Sequence, residues 1–255
     1  MSERIQKHPS YDTEEVHIPG FSSRLVRYVP PPDHHEDQGK KRPVLLLFDG
    51  QNVFGDEGSF SGGWHVHRAV ARLAKRRPRP IVVGLDHGHH ARLVELSPFP
   101  VMGQKGRAEA FLSWVAHTLV PRIRARYAVI EGPAGILLGG ASLGGLAATY
   151  AHFRWPEVFG GALAMSPSFW VHDDAIEGFL ARRPLPAISQ LYFDGGKNES
   201  KGGLAPRIRR VGKQLKERGL PSTALRVVVD PKGKHHEASW RRRMPAALRW
   251  FYRMP

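Results

Sequence analysis

No cysteine occurs in the 255 residues. That absence excludes a disulfide framework, a thiolate metal centre and a cysteine nucleophile, and it suits a reducing compartment. Long apolar runs are missing too. The longest, "VLLLF" and "GILLGG", fall far short of the roughly 20 residues that a membrane-spanning helix needs. The opening stretch, "MSERIQKHPSYDTEEVH", is polar, carries both signs of charge and has no apolar h-region. A soluble, cytoplasmic protein without a membrane partner is the expectation. There are no internal repeats and no recognisable nucleic-acid motif. The basic runs "KRRPR", "RIRAR", "RIRR" and "WRRR" lack the interleaved aromatics of single-strand binders. Nucleic acid is therefore not the expected partner.

A hydrophobic fraction of 41% is enough for a sizeable core. The length suits one domain over 1–255, in which 1–42 form an edge hairpin and surface loop and 43–255 the core. The net charge of +15 reads either as a solvated basic surface or as a preference for an anionic small molecule.

Along the chain, "EEVHIPG" and "SRLVRYVP" read as two strands around a Pro19–Gly20 turn. Then the pattern changes. "VLLLF", "IVVGL", "AGILLGG", "GALAMS", "QLYFD" and "ALRVVVD" are short, continuously apolar runs of the kind buried on both faces of a sheet. Helical periodicity fills the gaps. Val66, Ala69, Val70 and Leu73 share one face, as do Phe111, Val115 and Leu119, with a kink expected at Pro121. Strands alternating with helices predict an α/β fold: a mostly parallel central sheet, helices on both faces and an antiparallel edge hairpin at the N-terminus.

One stretch carries chemistry. Gly140-Ala141-Ser142-Leu143-Gly144 matches the G-x-S-x-G nucleophile elbow, preceded by a strand and followed by a helix as the motif requires. Glycines let neighbouring backbone pass close to a strained turn, and the Leu143 N–H at the helix start can bind a developing oxyanion. A serine needs a base. "DPKGKHHEASW" places His235 and His236 after the last strand, at the sheet edge where Ser142 is exposed. Asp194, Glu199 and Asp230 compete for the acid that orients the imidazole. A separate cluster, Asp86, His87, His89 and His90, has metal-capable side chains, but its spacing fits no metal motif, and neither metal nor organic cofactor is expected.

Several segments in order resemble the esterase D-like family of α/β-hydrolases, which includes enterochelin esterases, S-formylglutathione hydrolase, feruloyl esterases and mycolyltransferases. They are "LLLFDGQNVF", "IVVGLDHGHHARLVELSPF", "AFLSWVAHTLVPRIRARY", "GGASLGGLAATYAHFRWPEVFGGALAMSPSFW", "LYFDGGKNE" and "HHEASWRRRMPAALRWF". The resemblance implies an α/β-hydrolase fold with Ser142 as nucleophile. It favours His235 over His236, because the family reads His-x-Glu with a tryptophan soon after, and Glu199 as the acid, although Lys197 replaces the usual threonine. "DGQN" takes the oxyanion-loop position and implies a second donor from the backbone of Gln51 or Asn52. Arg92 and Glu95 match an R-x-x-E read as structural pairing. Asn52, Trp64 and Trp170 are candidate substrate-binding residues, with Phe99 a further aromatic. The implied activity is a serine carboxylic ester hydrolase, acting on a small ester that is aromatic or anionic, such as a siderophore or phenolic acid ester. An acyltransferase on the same site and a non-catalytic basic binding protein on a hydrolase scaffold are the alternatives.

Overall fold

A computed structural model describes residues 11–253, apart from 36–38, 60, 75 and 77. The polar first ten residues, and Lys75 and Arg77 of the basic run, lie outside them. Eight strands are described: β1 (Asp12–Val16), β2 (Arg24–Val29), β3 (Val44–Phe48), β4 (Ile81–Leu85), β5 (Ile136–Ala141), β6 (Gly161–Met165), β7 (Gln190–Gly196) and β8 (Leu225–Asp230). They form one sheet in the order β1-β2-β4-β3-β5-β6-β7-β8. The first two strands pair antiparallel and form the edge hairpin, and β2 meets β4 antiparallel. Every other neighbour is parallel. This is the α/β-hydrolase sheet.

The helices are α1 (Val66–Ala71), α2 (Arg92–Glu95), α3 (Ala108–Trp114), α4 (Val120–Arg126), α5 (Leu143–Arg154), α6 (Ala175–Arg182), α7 (Leu204–Glu217) and α8 (Glu237–Phe251). Side chains of β3 alternate between two cores. Val44, Leu46 and Phe48 join α3, α4, α5, α6 and α7, whereas Leu45 and Leu47 join α1 and α8. Burial on both faces is why β3 to β6 read as unbroken apolar runs.

Three details depart from the periodicity. The first helix is only six residues long, because Arg79 donates to the carbonyls of Ala71 and Leu73 and closes the helix end early. Instead of a simple kink at Pro121, α3 runs into α4 through a π segment, Val115–Leu119. Proline lacks an N–H and crowds the preceding turn, and the wider π turn absorbs the mismatch. The short α6, which buries Ile176, Phe179 and Leu180, adds a helix where the sequence periodicity marks none.

In α5, eleven of the twelve residues are buried, including His152. Its Nδ1–H donates to the Phe159 carbonyl (2.9 Å), and Nε2 accepts from the Ser189 hydroxyl (2.8 Å). Burial lowers its pKa from 6.5 to about 4. The unfolded chain therefore takes up a proton near pH 6.5 that the folded chain refuses until about pH 4. Stability is complete above that window and falls through it by about 3 kcal/mol from this group alone. Denaturation of wild type and His152→Gln between pH 7.5 and 4 checks this, since the variant loses that part of the slope. An unchanged slope refutes the assignment.

Candidate active site

Ser142 connects β5 to α5 with φ 56° and ψ −121°, a conformation that side-chain-bearing residues rarely adopt. Neighbouring bonds hold it there. Its N–H donates to the Met165 carbonyl on β6 (2.9 Å), and its own carbonyl accepts from Gly145, Leu146 and Ser168. The flanking glycines are a steric requirement, because a Cβ on Gly140 would stand 2.7 Å from the Gly144 carbonyl carbon. Ser142 is part-exposed and its Oγ lies 3.1 Å from the buried Ser168 Oγ.

His235 lines the same cavity as Ser142, and its Nδ1 meets Glu199 Oε2 at 2.8 Å. The carboxylate side chain is 1% exposed and the imidazole 43%, so one partner is enclosed and the other reaches the cavity. Glu199 Oε1 also accepts from the Gly196 N–H (2.6 Å) and the Ser166 hydroxyl (3.0 Å). Burial alone would favour the neutral acid, but the bonds from His235, Gly196 and Ser166 outweigh it and hold the Glu199 pKa below its usual value. The approach needs a glycine at 196, where a Cβ would sit 2.1 Å from the Gly233 carbonyl.

The other two acids lie behind this pair. Asp194 is fully buried and faces Arg243 at 3.2 Å, and burial pushes its pKa up to about 6. Asp230 pairs with Arg242 and accepts the Lys232 N–H. Arg243 ties the group together: it donates to Ser166 Oγ (2.8 Å) and stands 3.6 Å from Glu199 and 3.7 Å from Asp230. Trp240 Nε1 also donates to Ser166 Oγ (3.0 Å).

A cavity of about 600 Å³ joins these parts, lined by Ser142, His235, Asp49, Gln51, Asn52, Ser59, Trp64, His87, Arg92, Glu237 and Trp240 among others. Asp49 adopts a left-handed turn (φ 57°) and accepts two bonds from Arg92, at 2.5 and 2.7 Å. The Asn52 N–H is engaged by the Asp49 carbonyl (2.8 Å). Of the two candidate second donors, that leaves the Gln51 N–H. Glu237 accepts from Ser61 and, at 3.5 Å, from Asn52, tying α8 to this loop.

The model of the family described as "Putative esterase" matches residues 23–251. The chain belongs to this family. Its relatives include uncharacterized protein YbbA of Bacillus subtilis, 24% identical over 90% of this chain and 92% of that one. Iron(III) enterobactin esterase of Escherichia coli is 27% identical over 51% of this chain but only 30% of its own length. Among solved structures, the siderophore hydrolase EstB of Aspergillus nidulans superposes with a TM-score of 0.74 at 20% identity, covering 97% of both chains, which shows the shared fold.

The rest of the expected residues are distributed unevenly in this esterase. Trp64 lines the cavity and packs edge-on against Trp240 (5.6 Å). Trp170 does not line it and is 51% exposed, because the chain turns away after Ser168. Phe99 packs on Tyr150 and Phe179, away from the cavity. Arg92 and Glu95 do not pair with each other; Arg92 holds Asp49, and Glu95 takes a buried bidentate bond from Arg24. Asp86 is bound by Arg27 (2.8 and 3.0 Å), and His87 Nδ1 accepts the His89 N–H. Among the described residues, no three His, Asp or Glu side chains converge as metal ligands, and no helix is long and apolar enough to cross a membrane. Ser166, Ser168 and Arg243 escaped the sequence reading. "MSPSFW" directly follows a parallel strand, and residues just past the carboxyl ends of such strands share one edge, so a signal for the two serines was there.

Proposed function

We propose that this esterase hydrolyses a carboxylic ester through a Ser142 acyl-enzyme. The observation that carries the reading is the Glu199–His235 pair at 2.8 Å, on the cavity into which Ser142 opens. His235 Nε2 takes the Ser142 proton as Oγ bonds to the ester carbon. The N–H groups of Leu143 and Gln51 receive the oxyanion, and His235 passes the proton to the departing alcohol. Water then attacks the acyl-enzyme with His235 again as base, releasing the acid and restoring Ser142. Glu199 stays ionised, fixes the tautomer with the proton on Nδ1 and stabilises the imidazolium.

For the substrate, the names of relatives point to siderophore esters, and the lining suits a polar ester. Gln51, Asn52, His87 and Arg92 offer hydrogen bonds along the cavity, whereas Trp64 and Trp240 are almost wholly buried in its wall. A panel of esters differing in acyl length, aromaticity and charge tests this; a preference for long aliphatic acyl chains rules it out. For the mechanism, a fluorophosphonate should label one site, located at Ser142 by peptide mass spectrometry. Glu199→Gln should lower kcat by about 10²- to 10⁴-fold with the fold retained. Labelling elsewhere, or an unimpaired Glu199→Gln enzyme, defeats the scheme.

A further inference from the structure

We infer that Ser168 is a hydrogen-bond donor to the nucleophile, acting on Ser142 Oγ when that oxygen carries negative charge. The inference rests on the serine mechanism just proposed. Its starting point is a question of satisfied protons. Ser168 is 1% exposed, and among the described residues its hydroxyl has one hydrogen-bond partner, Ser142 Oγ at 3.1 Å. Either hydroxyl can donate in this bond. On the proposed mechanism Ser142 gives its proton to His235, so in the reacting enzyme Ser168 donates and Ser142 accepts. Ser142 is part-exposed and lines the cavity together with His235.

The backbone fixes this arrangement. The Ser168 N–H donates to the Ser142 carbonyl (2.9 Å), so both hydroxyls hang from one hydrogen-bonded backbone pair. Two residues earlier, Ser166 donates to Glu199. The Ser166-Pro167-Ser168 segment after β6 thus touches both the acid and the nucleophile.

In the resting enzyme the Ser168 bond is a neutral hydroxyl pair. As the Ser142 proton moves to His235, Oγ gains partial negative charge in the transition state before its electron pair is fully shared with the ester carbon, and the Ser168 bond strengthens there. Deacylation reverses this. Water adds to the acyl carbon, the C–Oγ bond breaks, its electron pair returns to Oγ opposite the Ser168 O–H, and His235 reprotonates that oxygen. Ser168 keeps its proton throughout. A bond that is stronger in the transition states than in the ground state raises kcat with little effect on KM.

Ser168→Ala tests this alongside Ser168→Thr, which keeps a hydroxyl. The alanine variant should lose about 10- to 100-fold in kcat with KM within about threefold of wild type. Its fluorophosphonate labelling rate at Ser142 should fall by a similar factor. The threonine variant should retain kcat within about threefold. A folded alanine variant with unchanged or raised kcat overturns the inference. If the alanine variant melts well below wild type, the threonine variant decides, and a loss as deep as alanine's overturns it. Wild type that is not labelled at Ser142 defeats the serine mechanism itself, whereas labelled wild type with an unimpaired alanine variant defeats only the role of Ser168.

Discussion

Ser142→Ala lowers kcat on a simple aryl ester by about 10⁵- to 10⁶-fold, the loss expected when the nucleophile of a serine–histidine–acid unit is removed. On the proposed scheme, residual turnover comes from the Leu143 and Gln51 N–H groups and substrate binding alone, because that backbone is untouched by the substitution. The fold survives. Ser142 is placed by its backbone bonds to Met165, Gly145, Leu146 and Ser168, none of which uses Oγ. Circular dichroism and a thermal melt within a few degrees of wild type should accompany the kinetic loss. KM changes little, since Oγ contributes to the transition state more than to substrate binding. Turnover within tenfold of wild type would mean that another group is the nucleophile.

The largest stability effect is expected behind the site. Arg243→Met removes the guanidinium that stands among Asp194, Glu199 and Asp230. Asp194 is then a fully buried carboxylate without its cation, and breaking such a pair costs about 3–5 kcal/mol. For a chain of this size that corresponds to roughly 6–20 °C in Tm. The pH dependence has a definite sign. The Asp194 pKa is already raised from 3.8 to about 6. Its contribution to stability is therefore fully present below about pH 4 and is lost as pH rises through 6. Arg243→Met should consequently be most damaging at pH 7.5 and above, and adding Asp194→Asn should recover part of the loss. Urea denaturation of the single and double variants at pH 7.5 measures both effects. A single variant within about 1 kcal/mol of wild type would mean that the cation does not compensate the buried acids. Activity should fall as well, because Ser166 loses one of its two donors and it in turn donates to Glu199.

The sequence by itself determined the frame. Short apolar runs such as "VLLLF" and "IVVGL" have the length and composition of strands buried on both faces, and their alternation with helices favours parallel pairing by crossover connections. It also marked Ser142, because glycine on both sides of a serine between a strand and a helix is a local steric pattern. Contacts between distant segments were a different matter. Asp194, Glu199 and Asp230 all lie near the same sheet edge, and nothing in their spacing tells which oxygen faces His235. The tertiary structure separates them. It turns Glu199 toward the imidazole through the close approach of Gly196 and Gly233, and it leaves Asp194 and Asp230 to Arg243 and Arg242. Likewise Arg92 and Glu95, neighbours on one helical turn, take partners 43 and 71 residues away. Trp170 shows the reverse, an aromatic near the nucleophile in the chain order of strand ends that the turn after Ser168 sends to the surface. Local patterns fix backbone conformation because their interactions lie within a few residues. Side-chain partners depend on how strand ends converge, which only the folded sheet decides.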